Sequence, residues 1–329
     1  MKAINLHARP FICASLMFCA GLLVGSAAVA QSYPAAPVKI IMPTGAGTGP
    51  DVIGRVAAEF LSRTWRQQVV VANHVGGAGA IGMRVAGMAA PDGYTLLQAL
   101  SSSFVSLPDV QANFPFDLAR EFVPIGLVSE QPLVIAATTS LGVTSLAELF
   151  ALAMKRPDGI NVAVLGRGGL PHMTGEWLRT ASRTNLTPVH YPGTPPALSD
   201  VIAGRVEAIV DSHAGLQGAI AAGKVKVLAV TSARRLPDHP DLPTVAETLP
   251  GFRSMGWFAL LGPPRTPESI ARKVSDDLRT ILGQPELQQR YRDVGAYPHP
   301  MSPAELMNFI HEEKQLWKPV IAQIGLGKR

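Results

Sequence analysis

The residues best placed to do chemistry in this sequence are glycines. An apolar run, Val38 to Met42, leads into Pro43-Thr44-Gly45-Ala46-Gly47-Thr48-Gly49-Pro50-Asp51 and then into a segment of helical period. The arrangement recurs where Val69 to Ala72 leads into Asn73-His74-Val75-Gly76-Gly77-Ala78-Gly79-Ala80-Ile81-Gly82 and a second helix. Glycine lets a backbone approach a ligand closely. The free N–H groups of a helix start, reinforced by its dipole, attract carboxylate or phosphate oxygens, and open α/β sheets bind ligands at this edge. Either loop alone is equally well a tight turn. Two in succession predict an anion site lined mainly by backbone donors.

Rival chemistries find little support. Gly77, Gly79 and Gly82 have the spacing G-x-G-x-x-G of a dinucleotide site, but the ribose-binding acid expected about twenty residues on is replaced by Ser101-Ser102-Ser103. A serine hydrolase needs a nucleophile, a histidine and an acid, and the chain has no G-x-S-x-G elbow. His311-Glu312-Glu313 begins like the zinc motif H-E-x-x-H, yet position 315 is Gln. We therefore expect no catalytic residues, no metal site and no cofactor.

The elements that must position these loops follow βαβ grammar. Val38 to Met42 precedes a helical stripe of Val52, Ile53, Val56, Ala57, Phe60 and Leu61, then Val69 to Ala72. Further strands are expected at Tyr94 to Ala99, Leu133 to Ala137, Ile160 to Leu165, Val206 to Val210 and Val225 to Val230. Strands apolar at every position are buried on both faces, so the class is α/β with mostly parallel sheets covered by helices. Ser145 with Glu148, Thr244 with Glu247 and Ser302 with Glu305 have capping-box spacing. Pro267, Pro285 and Pro303 suit first-turn positions. Two βα-rich blocks, roughly 32–133 and 134–259, precede a helical C-terminal third that can pack back on the first block.

The first thirty residues carry cations at Lys2 and Arg9, an apolar stretch from Phe11 to Val24 and the small-residue run Gly25 to Ala30. That pattern is a secretory signal peptide, with cleavage expected after Ala28-Val29-Ala30. Both cysteines, Cys13 and Cys19, fall inside it, so the exported chain has no disulfide and must rely on its core. Loss of the two cations lowers the formal charge from +5 to +3. The remaining cations are scattered, which argues against nucleic acid as a partner, while a mild positive field still attracts small anions.

From Tyr33-Pro34 through the two glycine loops and Ala90-Pro91-Asp92-Gly93-Tyr94-Thr95-Leu96-Leu97, the chain resembles the Bug family. These are the substrate-binding proteins of tripartite tricarboxylate transporters. Gly193-Thr194-Pro195-Pro196-Ala197-Leu198, Gly204 to Asp211, Leu228-Ala229-Val230-Thr231-Ser232 and Pro250-Gly251-Phe252 continue the likeness. It implies a periplasmic, two-lobed binding-protein fold of type II-like form with the ligand in the interlobe cleft. Lobe 1 would be residues 31–133 and 260–329, and lobe 2 residues 134–259. The partners it implies are a small carboxylate and the membrane subunits of a transporter. A membrane sensor is the alternative, a periplasmic enzyme a more remote one, and a monomer suits hinge closure.

The resemblance also implies where a ligand would lie. One carboxylate would sit on Thr44, Gly45, Ala46, Gly47, Thr48 and Asp51 of the first loop and on Asn73, Gly76, Gly77, Ala78, Gly79 and Ala80 of the second. Ser101 and Ser102 follow the third strand and can offer hydroxyls. On lobe 2, Gly166, Arg167, Gly168 and His172 stand in a loop usually rich in serine, threonine and glycine. Arg167 either pairs with a second ligand carboxylate or points into water. His172 either packs at a helix start or touches ligand. Thr194, beside Ala197, caps a helix or donates to ligand, and Asp211 accepts a ligand group or holds a hinge loop. Thr44, His74 and Gly77-Ala78-Gly79-Ala80 depart from the family pattern, so the ligand's distal group is not carried over.

Overall fold

Strands buried on both faces need helices on both sides, and the chain supplies them in alternation. The computed structural model describes residues 33–111, 114 and 116–325. The expected signal peptide lies outside these. The strands are β1 (Val38–Met42), β2 (Val69–Asn73), β3 (Thr95–Leu100), β4 (Val123–Thr138), β5 (Ile160–Leu165), β6 (Leu186–Tyr191), β7 (Ala208–Ser212), β8 (Val225–Val230) and β9 (Met255–Gly262). Among the described residues no helix is long and apolar enough to cross a membrane.

The strands form one sheet in the order β2-β1-β3-β9-β4-β7-β5-β6, with β8 pairing on β4. β1, β2 and β3 pair in parallel, as do β5, β6 and β7. Every pairing that β4 or β9 makes is antiparallel. The sheet is therefore mixed rather than mostly parallel, because the strands that carry the chain from one half to the other run against their neighbours. β4 is sixteen residues long, far beyond the expected Leu133 to Ala137. Its first part, Val123 to Pro132, pairs with β9, and its second, Leu133 to Thr138, with β7 and β8.

The chain returns through a hydrogen-bonded knot. Leu133 N–H donates to Thr231 Oγ1 (2.9 Å), and Thr231 Oγ1 donates to Ser254 O (2.6 Å). The backbone repeats the link, with Thr231 N–H to Leu133 O and Ser254 N–H to Thr231 O, both 2.9 Å. Thr231 is fully buried. Thr174 and Ser254 hydroxyls meet at 2.6 Å behind it.

Helix Gly49–Trp65 covers the first half through the apolar stripe anticipated for it. Ile53, Val56, Ala57, Phe60 and Leu61 are buried, and each large one of these contributes about 1.5–3 kcal/mol of transfer free energy. One core cluster lies within each half, and a third spans both, including Ile41, Val164, Trp257 and Trp317. The C-terminal helix Pro303–Ile324 serves that third core, with Trp317 edge-on to Trp177 at 5.8 Å and Phe309 edge-on to Trp257 at 5.3 Å. It contacts β4 and the helix Leu170–Ser182, so it bridges the halves. Glu313 of this helix is buried, pairs with Arg253 and accepts from Trp257 Nε1 (3.0 Å). Glu312, the acid beside His311, is exposed on the same helix.

Helix starts largely obey their signals. Thr244 with Glu247 and Ser302 with Glu305 form reciprocal capping boxes. Ser145 accepts from Glu148 N–H, but the Glu148 carboxylate turns one residue further back, to Thr144 N–H. Pro285 and Pro303 open their helices, whereas Pro267 stands one place earlier, as the N-cap of Glu268–Leu282.

Candidate functional site

Where β1 ends, the chain must turn at once into the helix Gly49–Trp65, and polar groups brace the turn from behind. Thr48, the N-cap, lies with its hydroxyl 2.8 Å from Gly45 O and 3.1 Å from Thr44 Oγ1. Asp51 is buried and accepts from Gly47 N–H (2.9 Å), Arg55 Nε (2.9 Å) and Asn73 Nδ2 (2.8 Å). Burial works against its ionisation, but these donors outweigh it and hold the carboxyl below the usual carboxylate value. Asn73 Nδ2 also donates to Thr44 O (2.9 Å), which ties the two loops together.

The second loop has a backbone that few residues adopt. Gly76, Gly77 and Gly79 have φ of 135°, 55° and 96°, and Ala78 between them has φ 52°. An alanine held left-handed costs roughly 1–2 kcal/mol. Gly82 has a different reason to lack a side chain, since a Cβ there would stand 3.0 Å from Pro43 Cα. The helix Ala80–Gly87 thereby packs close against the first loop.

Both loops face a cavity of about 440 Å³ whose opposite wall comes from the strand ends of the other half. Helices Gly49–Trp65, Ala80–Gly87, Leu170–Ser182, Thr194–Ile202 and His213–Ala221 present their N-caps to it: Thr48, Gly79, Gly169, Gly193 and Ser212. Five dipoles thus point positive ends at one space. Of these caps only Ser212 uses its own side chain, accepting from Gly215 N–H (3.2 Å). Leu133, Leu165, Leu170 and Phe258 make the wall apolar between the polar points. A second, open depression at Pro195, Ser199 and Arg205 lies on the Thr194–Ile202 helix and has no such convergence.

Arg167 and Asp211 are the charged side chains in the cavity wall among the described residues. Asp211 is buried, with Oδ2 accepting from Thr194 Oγ1 (2.7 Å) and Oδ1 from Ser212 N–H (2.6 Å). Burial outweighs those two donors and pushes its pKa up to about 6. Arg167 is exposed at the tip of its loop.

Of the residues expected to meet ligand, Thr44, Gly45, Thr48, Gly76, Gly77, Ala78, Gly79, Ser101, Ser102, Gly166, Arg167 and Asp211 are in the wall. Ala46, Gly47, Ala80 and Gly168 stand outside it, and Asp51 and Asn73 act from behind. Thr194 spends its hydroxyl on Asp211, and Ala197 is core. His172 is buried, with Nδ1 accepting from Gly168 N–H (2.8 Å). Its ring is lowered to about pKa 4 by burial, then by His190 and Arg167, so it is a neutral packing residue. Trp257 is core as well. Reading motifs missed Gln111, Gln131, Ser212 and Phe258 in the wall. Only Ser212 had a local signal, as the next residue after Asp211 and a good N-cap type.

Residues 53–326 match the family model described as tripartite tricarboxylate transporter family receptor. The chain is 31% identical to Protein BugT of Bordetella pertussis over 314 residues, 93% of this chain and 96% of that one. Among solved structures it is similar to Rpa4515 of R. palustris with adipate, at a TM-score of 0.86 and 29% identity, covering 90% of this chain and 99% of that one. It is also similar to MatC of Rhodopseudomonas palustris with bound malate, at a TM-score of 0.80 and 28% identity, covering 88% and 100%.

Proposed function

The chain belongs to the tripartite tricarboxylate transporter receptor family, solute-binding proteins of the periplasm, and from that membership we propose how its cavity captures a small organic acid. One carboxylate lies on the N–H groups of Thr44 to Thr48 and Gly76 to Ala80. The observation that carries this reading is the convergence of five helix N-termini on one cavity. Each end favours negative charge, by about 0.3–1 kcal/mol at exposed sites and more when water is excluded.

At the far side Arg167 meets a second carboxylate through its planar fork. The dicarboxylates adipate and malate in the two R. palustris neighbours support a diacid as ligand. The wall offers donors and one cation to an acid, and it acts by binding rather than by turnover. We assign residues 31–133 with 260–329 to lobe 1 and 134–259 to lobe 2. The β4 crossing and the Leu133–Thr231–Ser254 knot serve as the hinge between them. The exported, liganded protein then hands its acid to the membrane subunits of the transporter.

The test is thermal-shift screening against adipate, malate, monocarboxylates and neutral sugars, with calorimetry on the hits. A ligand at a hundred times its Kd adds about 2.7 kcal/mol to stability. Dicarboxylates should stabilise most. Stabilisation by sugars alone would sink the carboxylate reading, and an Arg167→Ala variant with unchanged diacid affinity would remove that residue from the site.

A further inference from the structure

The loop that carries Arg167 is pinned on both sides of one residue, Gly168. Gly169 N–H donates to Gly166 O at 2.8 Å, closing a tight turn whose third residue, Gly168, has φ +80°. A left-handed third residue is what a type II turn demands. The two polar atoms of Gly168 are then claimed from opposite sides. Its N–H donates to His172 Nδ1 (2.8 Å), within the same half of the molecule. Its carbonyl accepts from Ser106 Oγ (2.8 Å), which belongs to the segment after β3 in the other half.

This is a crossing contact, and it is dry. Ser106 is 1% exposed and His172 3%. A Cβ added at Gly168 would stand 2.8 Å from Val110 Cγ2 and 2.9 Å from Leu107 Cδ2, so the two halves touch here at a place only glycine fits. Ser106 Oγ also lies 3.3 Å from Ser102 O, on its own side. When the halves part, the hydroxyl keeps that acceptor and the Gly168 carbonyl goes to water. Neither state leaves a buried orphan, as a contact made and broken repeatedly requires.

We propose that Ser106 and His172 are positioning residues for Arg167, with Ser106 the latch that fixes the Arg167 turn only when the lobes meet. His172 holds the turn in both states, and for that it must be neutral, with its proton on Nε2 so that Nδ1 can accept. The inference rests on the reading of the cavity as an organic-acid site, and it adds that affinity depends on a residue outside the cavity wall. A latch acts on escape. Removing it therefore speeds dissociation and leaves association unchanged, whereas a residue that only supports the fold would not divide its effect this way.

The experiment uses the exported chain with adipate and malate as probes, by stopped-flow fluorescence. In Ser106→Ala the dissociation rate rises about three- to tenfold, the range of one hydrogen bond, while the association rate stays within twofold and Ser106→Thr restores the slow rate. Ser106→Cys, a weak donor of similar size, gives the same direction should the alanine variant fail to fold. An unchanged dissociation rate in a folded variant, or an equal fall in association, would overturn the latch. Amide exchange in the ligand-free protein separates this from failure of the functional reading. If the wild type takes neither acid, that reading fails, yet the ligand-free lobes still meet part of the time, so Gly169 must still exchange faster in Ser106→Ala while Gly168, whose N–H His172 holds in both states, does not. Equal Gly169 exchange in the two proteins overturns the latch by itself.

Discussion

Thr231→Val is the sharpest test of the crossing. Valine keeps the shape of threonine at a fully buried position and deletes only the hydroxyl. That hydroxyl accepts from Leu133 N–H at 2.9 Å and donates to Ser254 O at 2.6 Å, so the substitution orphans a donor and an acceptor together. An unsatisfied buried group costs about 1–3 kcal/mol, and the backbone links of the knot remain, so the total should be about 2–4 kcal/mol. Unfolding entropy near 2.1 cal/mol/K per residue over the 299 residues left after the expected cleavage (329 minus 30) gives about 0.6 kcal/mol per degree. The melting temperature should then fall by about 3–6 °C in a circular-dichroism melt. Ser254→Ala, which loses only the contact with Thr174, is the control and should cost less. A Thr231→Val variant melting within 1 °C of wild type would refute the claim that the hydroxyl knits the crossing.

The ligand loop predicts opposite signs at adjacent residues. Ala78→Gly relieves a left-handed alanine and should raise stability by about 0.5–1 kcal/mol after the entropic cost of glycine. Gly79→Ala, at φ 96° with Met83 Cε and Pro43 Cβ 3.1 and 3.2 Å from the new methyl, should lose at least about 1 kcal/mol and weaken acid binding. Urea titration and calorimetry read both. The acid range should show two opposed slopes. His172, held down at about 4 against an ordinary 6.5, contributes stability that is present above pH 6.5 and lost as pH falls to about 4, because the unfolded chain takes up the proton first. Asp211, raised to about 6, contributes stability that is present below about pH 3.8 and lost as pH rises through 6. Melting curves against pH should show His172→Asn flattening the first slope and Asp211→Asn the second. A His172→Asn profile parallel to wild type would refute the neutral-imidazole assignment.

Strands read from short runs rich in apolar residues and free of proline and glycine were legible to the residue. β1, β5 and β8 fall at the positions read from Val38 to Met42, Ile160 to Leu165 and Val225 to Val230. The first part of β4 was not, because Pro124, Gly126 and Pro132 break its run, and pairing with β9 overrides that local preference. β6 carries Pro188 on the edge of the sheet, where the missing N–H is tolerated, and so reads poorly as a strand. The site divides in the same way. The two glycine loops announced themselves because each is one contiguous stretch. Gln111, Gln131 and Phe258 reach the wall from elements far apart in the chain, and no spacing relates them. His172 admitted two readings from sequence, packing at a helix start or touching ligand. Its burial and its bond to Gly168 favour the first, a choice that rests on partners distant from any local spacing.

β4 belongs to both halves of the molecule, and side chains along a strand alternate faces with a period of two. Counting along β4 between its irregularities therefore settles which residues face which core in both halves of the sheet at once. Of its three irregularities, those between Pro124 and Gly126 and between Leu127 and Ser129 precede the crossing and that between Ile135 and Ala136 follows it; the inner pair brackets it. A single residue inserted or deleted between them would turn every later side chain of the strand to the wrong face. Chimaeras that exchange one half for a relative's must hence be cut outside this strand, and length variation among relatives should be confined to the loops that flank it.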